Sequence, residues 1–148
     1  MTLQLSISVQ RLASACHVAA SALGIPLQAV YLHGSWATEF ARPDSDVDLG
    51  LLAAMPIDPA LRLQLALRLQ RDMDNDAGVD IADLRRADTV FAAHVVSEGR
   101  RLLCLDSDAT ARFEALALAK YARLNEERAG ILADIRQRGT IYGSGALA

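Results

Sequence analysis

The most constraining feature of the chain is the strand candidate from Asp46 to Ala54, in which two carboxylates precede an almost wholly apolar run. Its continuous leucine content is typical of a strand that is covered on both faces, which requires further layers on either side of a sheet. Asp46 and Asp48 lie at the beginning of this run, where removing charge from water is costly. We therefore expect a central strand whose acidic groups serve a specific purpose.

Hydrophobic periodicity predicts further strands and helices around this central strand. Helix-ending signals, such as Gly24 with Pro26 and Gly99, separate the predicted elements. A short helical turn over Trp36 to Phe40 is also predicted. The other predicted strands are Ala29 to His33, Gly78 to Leu84 and Arg101 to Leu105, and the predicted helices cover about 8–23, 61–69, 87–98 and 109–138.

The segment from Leu61 to Leu69 alternates leucine with other residues and would suggest a strand by pattern alone. It contains no β-branched residue, consists of strong helix formers and follows Asp58 and Pro59, a suitable cap and first-turn pair. We therefore predict a helix. Such a helix has two apolar stripes, which are either both buried in the domain or divided between the core and a partner. The two stripes are Leu61, Leu65 and Leu69, and Leu63 and Leu67.

The length and charge of the chain limit the classes of protein to consider. With 148 residues, 52% of them hydrophobic, it is expected to form one domain, residues 1–148, with a core over 8–107, a C-terminal helix over 109–138 and a loose tail over 139–148. A net charge of -3 provides no general attraction for nucleic acid, so direct nucleic-acid binding is not expected.

The N-terminal segment and the cysteines indicate the compartment. No signal-peptide pattern and no apolar run long enough to span a bilayer is found, so we expect a cytoplasmic protein without membrane contact. Cys16 and Cys104 are far apart in the sequence and lie among apolar residues, which predicts two buried free thiols.

The paired carboxylates indicate a metal site. On a strand, Asp46 and Asp48 project from the same face, with roughly 7 Å between their Cα atoms. Oxygen ligands of this kind bind Mg²⁺ and leave coordination positions for substrate phosphates. Asp80, which stands among apolar residues on the next predicted strand, would join them if the two strands pair. Three carboxylates suffice for a site with two metal ions, in which Asp80 serves as a base or as a bridging ligand.

A predicted turn between the first two strands suggests a phosphate site. Gly34 allows close approach of the backbone to an anion, Ser35 supplies a hydroxyl, and the helical turn that follows supplies free N–H groups. Arg42, in the loop between Ser35 and the acids, could reach a triphosphate or could be an ordinary surface residue. His33 could approach a nucleotide or could form a local hydrogen bond at the end of its strand.

The set Gly34, Ser35, Asp46, Asp48 and Asp80 resembles the signature of the nucleotidyltransferase superfamily typified by DNA polymerase beta. The segments "YLHGSWATEFARPDSDVDLGLL", "VDIADL" and "RRLLCLD" resemble more narrowly the minimal nucleotidyltransferases of the MntA antitoxin type, over about residues 8–125. Trp36 and Glu39 depart from the pattern of many relatives, in which a small or basic residue and a glycine take these places.

This resemblance implies an α+β fold with a mixed sheet of about four strands, flanking helices and a long C-terminal helix. It also implies Mg²⁺ and ATP as cofactors, with Asp46, Asp48 and Asp80 as catalytic and metal-binding residues and Gly34, Ser35 and Arg42 as nucleotide-binding residues. The implied reaction is the transfer of AMP to a hydroxyl, that of a tyrosine, on a cognate RNA-cleaving toxin of the HEPN type. We therefore expect an antitoxin that forms a hetero-oligomer with this toxin.

Two other functions remain open at this point. The protein could be a non-catalytic antitoxin that neutralises its toxin by stoichiometric binding, or it could adenylylate a small molecule of the aminoglycoside type. The chain has little length beyond its predicted core for a pocket that binds a small acceptor, which favours a protein acceptor. The stripe of Leu63 and Leu67, or the last helix, could then serve as the docking surface.

Overall fold

A computed structural model describes residues 2–34, 46–73 and 78–138, with side chains from residue 9 onward. These residues form four helices and four strands, close to the predicted elements. In chain order they are α1 (Thr2–Ala22), β1 (Leu27–His33), β2 (Val47–Ala53), α2 (Pro59–Asp72), β3 (Val79–Asp83), α3 (Thr89–Glu98), β4 (Arg100–Cys104) and α4 (Ser107–Arg138).

The four strands form one mixed sheet in the order β3-β2-β1-β4. β1 pairs antiparallel with both β2 and β4, whereas β2 and β3 run parallel. The two inner strands are therefore β1 and β2, and the prediction that β2 is central is confirmed. All five residues of β2 that follow Asp48 are buried, as the continuous apolar run predicts.

Helices cover both faces of this sheet. On one face, α1 and α2 pack against alternate strand residues such as Val30, Leu49 and Ile81. On the other face, α3 and α4 pack against Tyr31 and Leu52. α3 comes close to the sheet at Gly50, where a Cβ atom would lie 3.1 Å from Val95 Cγ1 and 3.2 Å from a methyl group of Leu84, so that glycine allows the close contact.

The alternating leucine segment is helical, which confirms the prediction from its composition. Asp58 caps α2, and its side chain accepts a hydrogen bond from the Ala60 N–H at 2.8 Å. Leu65 and Leu69 are fully buried, whereas Leu63 and Leu67 are 60% and 58% exposed. The described part of the chain therefore buries only one of the two stripes.

Polar groups connect the last helix to the sheet. Tyr31, although buried, donates a hydrogen bond from its hydroxyl to Glu114 Oε1 at 2.5 Å, and Arg101 forms an ion pair with the same oxygen at 3.2 Å. Asp106 caps α4 by accepting a hydrogen bond from the Ala109 N–H at 3.0 Å. These contacts orient the beginning of α4, whereas most side chains in its second half are exposed.

Some predictions require correction. Cys16 is buried as predicted, but Cys104 is exposed, because it ends the edge strand β4. The first helix begins at Thr2 rather than near Ser8, because polar residues in its first turns obscure the apolar period. The predicted tail over 139–148 lies outside the described residues. None of the described helices is both long and apolar enough to cross a membrane.

Candidate active site

The candidate site lies where β1, β2 and β3 come together at one end of the sheet. Asp48 is the register partner of Asp80 across the parallel pair and of His33 across the antiparallel pair. Residues in register project from the same face, so these three side chains form a row across the sheet. Asp46 precedes β2 and lies two residues before Asp48. The expectation that Asp80 joins the pair is thus met, since the two strands are neighbours.

Gly34 forms the turn that follows β1 and contacts the central carboxylate of this row. Its φ angle is +69°, in the left-handed region that favours glycine. A Cβ atom at this position would collide with Asp48 Oδ2 and would lie 3.2 Å from Asp48 Cγ. The backbone of the turn can therefore approach Asp48 only because residue 34 has no side chain.

The surroundings of Asp48 disfavour the negative charge of its carboxylate. Burial raises the pKa of Asp48 above its usual value, the charge of His33 acts in the opposite direction, and the neighbouring carboxylates of Asp80 and Asp46 raise it further. Mutual repulsion of this kind is relieved when a cation binds between carboxylates. No ion pair between these three aspartates and a basic side chain is found within the described ranges.

His33 is a member of this site that the sequence left undecided. Its ring contacts Phe91 of α3 edge to face, with 5.4 Å between the ring centroids. Burial lowers the pKa of His33, although Asp48, Asp80 and a backbone hydrogen bond with Leu49 act against this shift. Its buried Nε2 atom has no hydrogen-bond partner among the described residues. The local hydrogen bond expected for His33 is therefore present and its ring lies near the acids, whereas its approach to a nucleotide stays a prediction.

The donor set fits a hard divalent cation. Asp48 and Asp80 on one face, with Asp46 directly before β2, provide the oxygen ligands that Mg²⁺ prefers, and the unfavourable charge at Asp48 favours the binding of a cation beside it. The side chains are not yet gathered around one point, since no group of three possible ligands among the described residues is close enough to hold an ion. Asp46 and Asp80 are both exposed and are therefore free to adjust.

Several predicted site features lie outside the described residues. They are Ser35, Arg42, the helical turn over Trp36 to Phe40 and Glu39. Their roles in phosphate binding stay predictions.

Asp83, in contrast, is a buried carboxylate with a structural role that the sequence did not indicate. It accepts hydrogen bonds from the Ile57 N–H at 2.8 Å and the Arg85 N–H at 3.1 Å. It lies three positions after Asp80 on the same short segment, but on the opposite face of β3, where it holds the loop before α2. Because successive side chains of a strand point to opposite faces, Asp80 and Asp83, three positions apart, face different surroundings and have different roles.

The mixed sheet, with paired acids beside a glycine turn, defines a protein of the nucleotidyltransferase class. Comparison with known families agrees, because residues 25–108 match the family model described as "Polymerase beta, Nucleotidyltransferase". The protein adenylyltransferase MntA of Shewanella oneidensis is 36% identical over 109 residues, which are 74% of this chain and 76% of that protein. The chain therefore belongs to the polymerase beta nucleotidyltransferase family.

Several solved structures similar to this chain are toxin-antitoxin complexes. One contains AMP-PNP and has a TM-score of 0.69 and 31% identity, covering 84% of this chain and 98% of the other. Another is the tri-AMPylated Shewanella oneidensis HEPN toxin in complex with the MNT antitoxin, with a TM-score of 0.66 and 30% identity over 86% of this chain and 98% of the other. These similarities extend beyond the family model to most of the chain.

Proposed function

We propose that this protein is an antitoxin that transfers AMP from ATP to a hydroxyl group of a cognate HEPN-type toxin. The observation that carries the proposal is the register of Asp48 with Asp80, beside the Gly34 turn, in a chain of this family. The relatives support the choice of substrates, since one complex contains an ATP analogue and another contains an AMPylated HEPN toxin. We further propose that the protein acts in the cytoplasm, where ATP is available, as a hetero-oligomer with the toxin.

The proposed reaction is an in-line substitution at the α-phosphorus of ATP. The acceptor oxygen forms a bond to this phosphorus while the bond to the bridging oxygen breaks, and pyrophosphate leaves. The proton of the acceptor hydroxyl passes to a carboxylate, for which Asp80 is the candidate because it is exposed and lies outermost in the row. The N–H groups of the Gly34 turn and the predicted Ser35 and Arg42 would hold the phosphates.

Mg²⁺ is proposed as the cofactor, and Asp46, Asp48 and Asp80 are the residues that would hold it. The ion would neutralise phosphate charge and lower the pKa of the acceptor hydroxyl. The chain itself provides the orientation: β2 and β3 fix two of the carboxylates in register, and the buried core beneath β2 keeps that strand rigid.

The proposal is tested by incubating the purified chain with ATP, MgCl₂ and the cognate HEPN-type protein, and by following AMP incorporation by intact mass spectrometry. We expect incorporation that chelation by EDTA abolishes and that Asp48→Asn also abolishes. Glu126→Gln, which makes the same carboxylate-to-amide change on the exposed surface of α4, serves as the matched control and should retain full incorporation. Incorporation by Asp48→Asn at the rate of the control would contradict the proposed site.

An assay of toxin neutralisation distinguishes a catalytic antitoxin from one that only binds and masks its toxin. With ATP present, a small molar fraction of the wild-type chain should suppress the RNA cleavage of a toxin excess, whereas Asp46→Asn/Asp48→Asn should fail at the same ratio. If the double variant neutralises the toxin as well as the wild type, and both require equal molar amounts, stoichiometric masking is the function instead.

A further inference from the structure

A groove lies between α2 and the outer edge of β3, next to the candidate site, and the proposed reaction does not yet assign it a role. It has a volume of about 420 Å³. Asp80, the candidate base, is one of its lining residues, so the groove adjoins the candidate active site at the edge of the sheet. Its lining residues are Pro59, Arg62, Leu63 and Ala66 on the helix side and Val79 to Ala82 on the strand side.

β3 is an edge strand with one free side. β2 pairs with it on the inner side, and no other strand of the described ranges lies on the outer side. The Val47 N–H donates to the Gly78 carbonyl and the Leu84 N–H donates to the Leu51 carbonyl, each at 3.0 Å. Because residues of a strand alternate in the direction of their backbone groups, positions 78, 80, 82 and 84 face β2. The N–H and C=O groups of Val79 and Ile81 therefore point outward.

The helix wall of this groove is apolar and open to water. Leu63 is 60% exposed, although a leucine gains free energy when it is buried. An exposed leucine beside an unpaired strand edge is a surface on which an extended segment can bind. The backbone of the segment would form hydrogen bonds with the strand edge, and its apolar side chains would pack against the leucine. Arg62 makes no ion pair with another described residue and adds a positive charge to this wall.

Register determines which side chain of an added strand would reach the acids. Neighbouring strands lie about 4.8 Å apart, and residues in register project from the same face. A residue paired with Asp80 would extend the row that runs from His33 through Asp48 to Asp80. Its two sequence neighbours would project from the other face, on which α2 packs.

We propose that the acceptor protein binds by adding an extended segment to the free edge of β3, with its hydroxyl-bearing residue in register with Asp80. The geometry defines the chemistry of this segment: the residue with the hydroxyl group is flanked by an apolar residue that packs against Leu63, and an acidic residue nearby complements Arg62. The inference rests on the proposed function, because it assigns the position of the protein acceptor in that reaction.

Amide hydrogen exchange tests the backbone part of this proposal without any turnover. In the free chain, the outward N–H groups of Val79 and Ile81 should exchange fast, whereas those of Asp80 and Ala82, which bond to β2, should be protected. Adding the HEPN-type acceptor protein, with no ATP, should slow exchange at Val79 and Ile81 at least about tenfold. Unchanged exchange at both amides in a saturated complex overturns the proposal, and so does protection in the free chain that increases with its concentration, since a second copy then occupies the edge.

Steady-state kinetics of AMP transfer test the proposed contact between the acceptor protein and the Leu63 side chain. Leu63→Glu places a charge in the apolar wall on an exposed helix position and should raise the KM for the acceptor protein at least about tenfold, with KM for ATP and kcat unchanged. Val18→Glu is the matched control, because Val18 is also an exposed aliphatic residue on a helix, with 67% exposure, and does not line the groove. Equal KM values for Leu63→Glu and Val18→Glu overturn the proposal.

These outcomes are distinguishable from a failure of the proposed function. If the wild-type chain does not label the HEPN-type protein at all, the proposed function fails. If the wild type labels it and both groove readouts are unchanged, the transfer reaction stands and only the docking mode is wrong.

Discussion

Gly34 determines how closely the first turn of the site can approach the central carboxylate. Its positive φ angle and its contact with Asp48 Oδ2 both require the absence of a side chain. We expect Gly34→Ala to displace Asp48 and to lower AMP transfer at least about 100-fold, because small displacements in a site that positions reacting groups are costly. The rate of transfer and the melting temperature should be measured together.

Gly24→Ala provides the control for backbone strain. Gly24 has a φ angle of +72°, close to that of Gly34, but a Cβ atom there would meet nothing within 4 Å. Both variants should therefore lose similar stability, and only Gly34→Ala should lose activity. Equal activity of the two variants at a temperature where both are folded would argue against the contact between Gly34 and Asp48.

The two cysteines differ in their surroundings and should differ in reactivity. Burial raises the pKa of the Cys16 thiol to about 12, whereas Cys104 is exposed. Because the thiolate is the reactive form, native protein at about pH 8 should react with Ellman's reagent at one thiol, and Cys104→Ser should remove that reaction. Rapid reaction of two thiols per folded chain would contradict the buried position of Cys16.

The raised pKa of Cys16 also predicts how stability depends on pH. Below the ordinary thiol pKa of 9.0, both the folded and the unfolded chain hold the proton, so this group leaves the free energy of unfolding unchanged. As the pH rises from there toward 12, the unfolded chain ionises first and stability falls. Urea unfolding over this range should show a steeper loss for the wild type than for Cys16→Ala.

At the scale of elements, α2 is a segment whose residue composition favours a helix although its alternating hydrophobic pattern suggests a strand. The alternating leucines would suit a strand, but strong helix formers and the Asp58 cap produce a helix with one buried and one exposed stripe. We expect Leu65→Ala to lower the free energy of unfolding by about 2 to 5 kcal/mol and Leu63→Ala to change it by less than about 0.5 kcal/mol. Similar losses for both, measured by urea unfolding of the isolated chain, would contradict this helix orientation.

The sequence could predict these elements because each has a local signal, but it could not predict their neighbours. That Asp46 and Asp48 share a face is a prediction from strand geometry, and in the structure Asp46 lies just before β2. The place of Asp80, in contrast, depended on whether β2 and β3 pair. Pairing order depends on contacts between distant segments, which no local pattern contains. The same limitation explains Cys104: its apolar surroundings in sequence resemble a core, but its strand lies at the sheet edge.

At the scale of the whole molecule, the larger hydrophobic core and the candidate active site lie on opposite faces of the sheet. The face covered by α1 and α2 contains the larger core, and the site lies on the other face, at the end of the sheet beyond Phe91 of α3. β3 contributes to both, because Asp80 faces the candidate site and Asp83 faces the interior. The family resemblance predicted this architecture, whereas the structural role of Asp83 has no signal in the sequence.

The most direct test of the central claim is a comparison of Asp80→Asn with Asp83→Asn by AMP transfer and thermal unfolding. Asp80 is exposed and in register with Asp48, so Asp80→Asn should lose about 100-fold or more in transfer rate and keep the melting temperature. Asp83→Asn should lose about 1 to 3 kcal/mol of stability, because its buried carboxylate accepts two backbone hydrogen bonds, and should retain transfer while folded. Full transfer by folded Asp80→Asn would contradict the assignment of the three aspartates to one site.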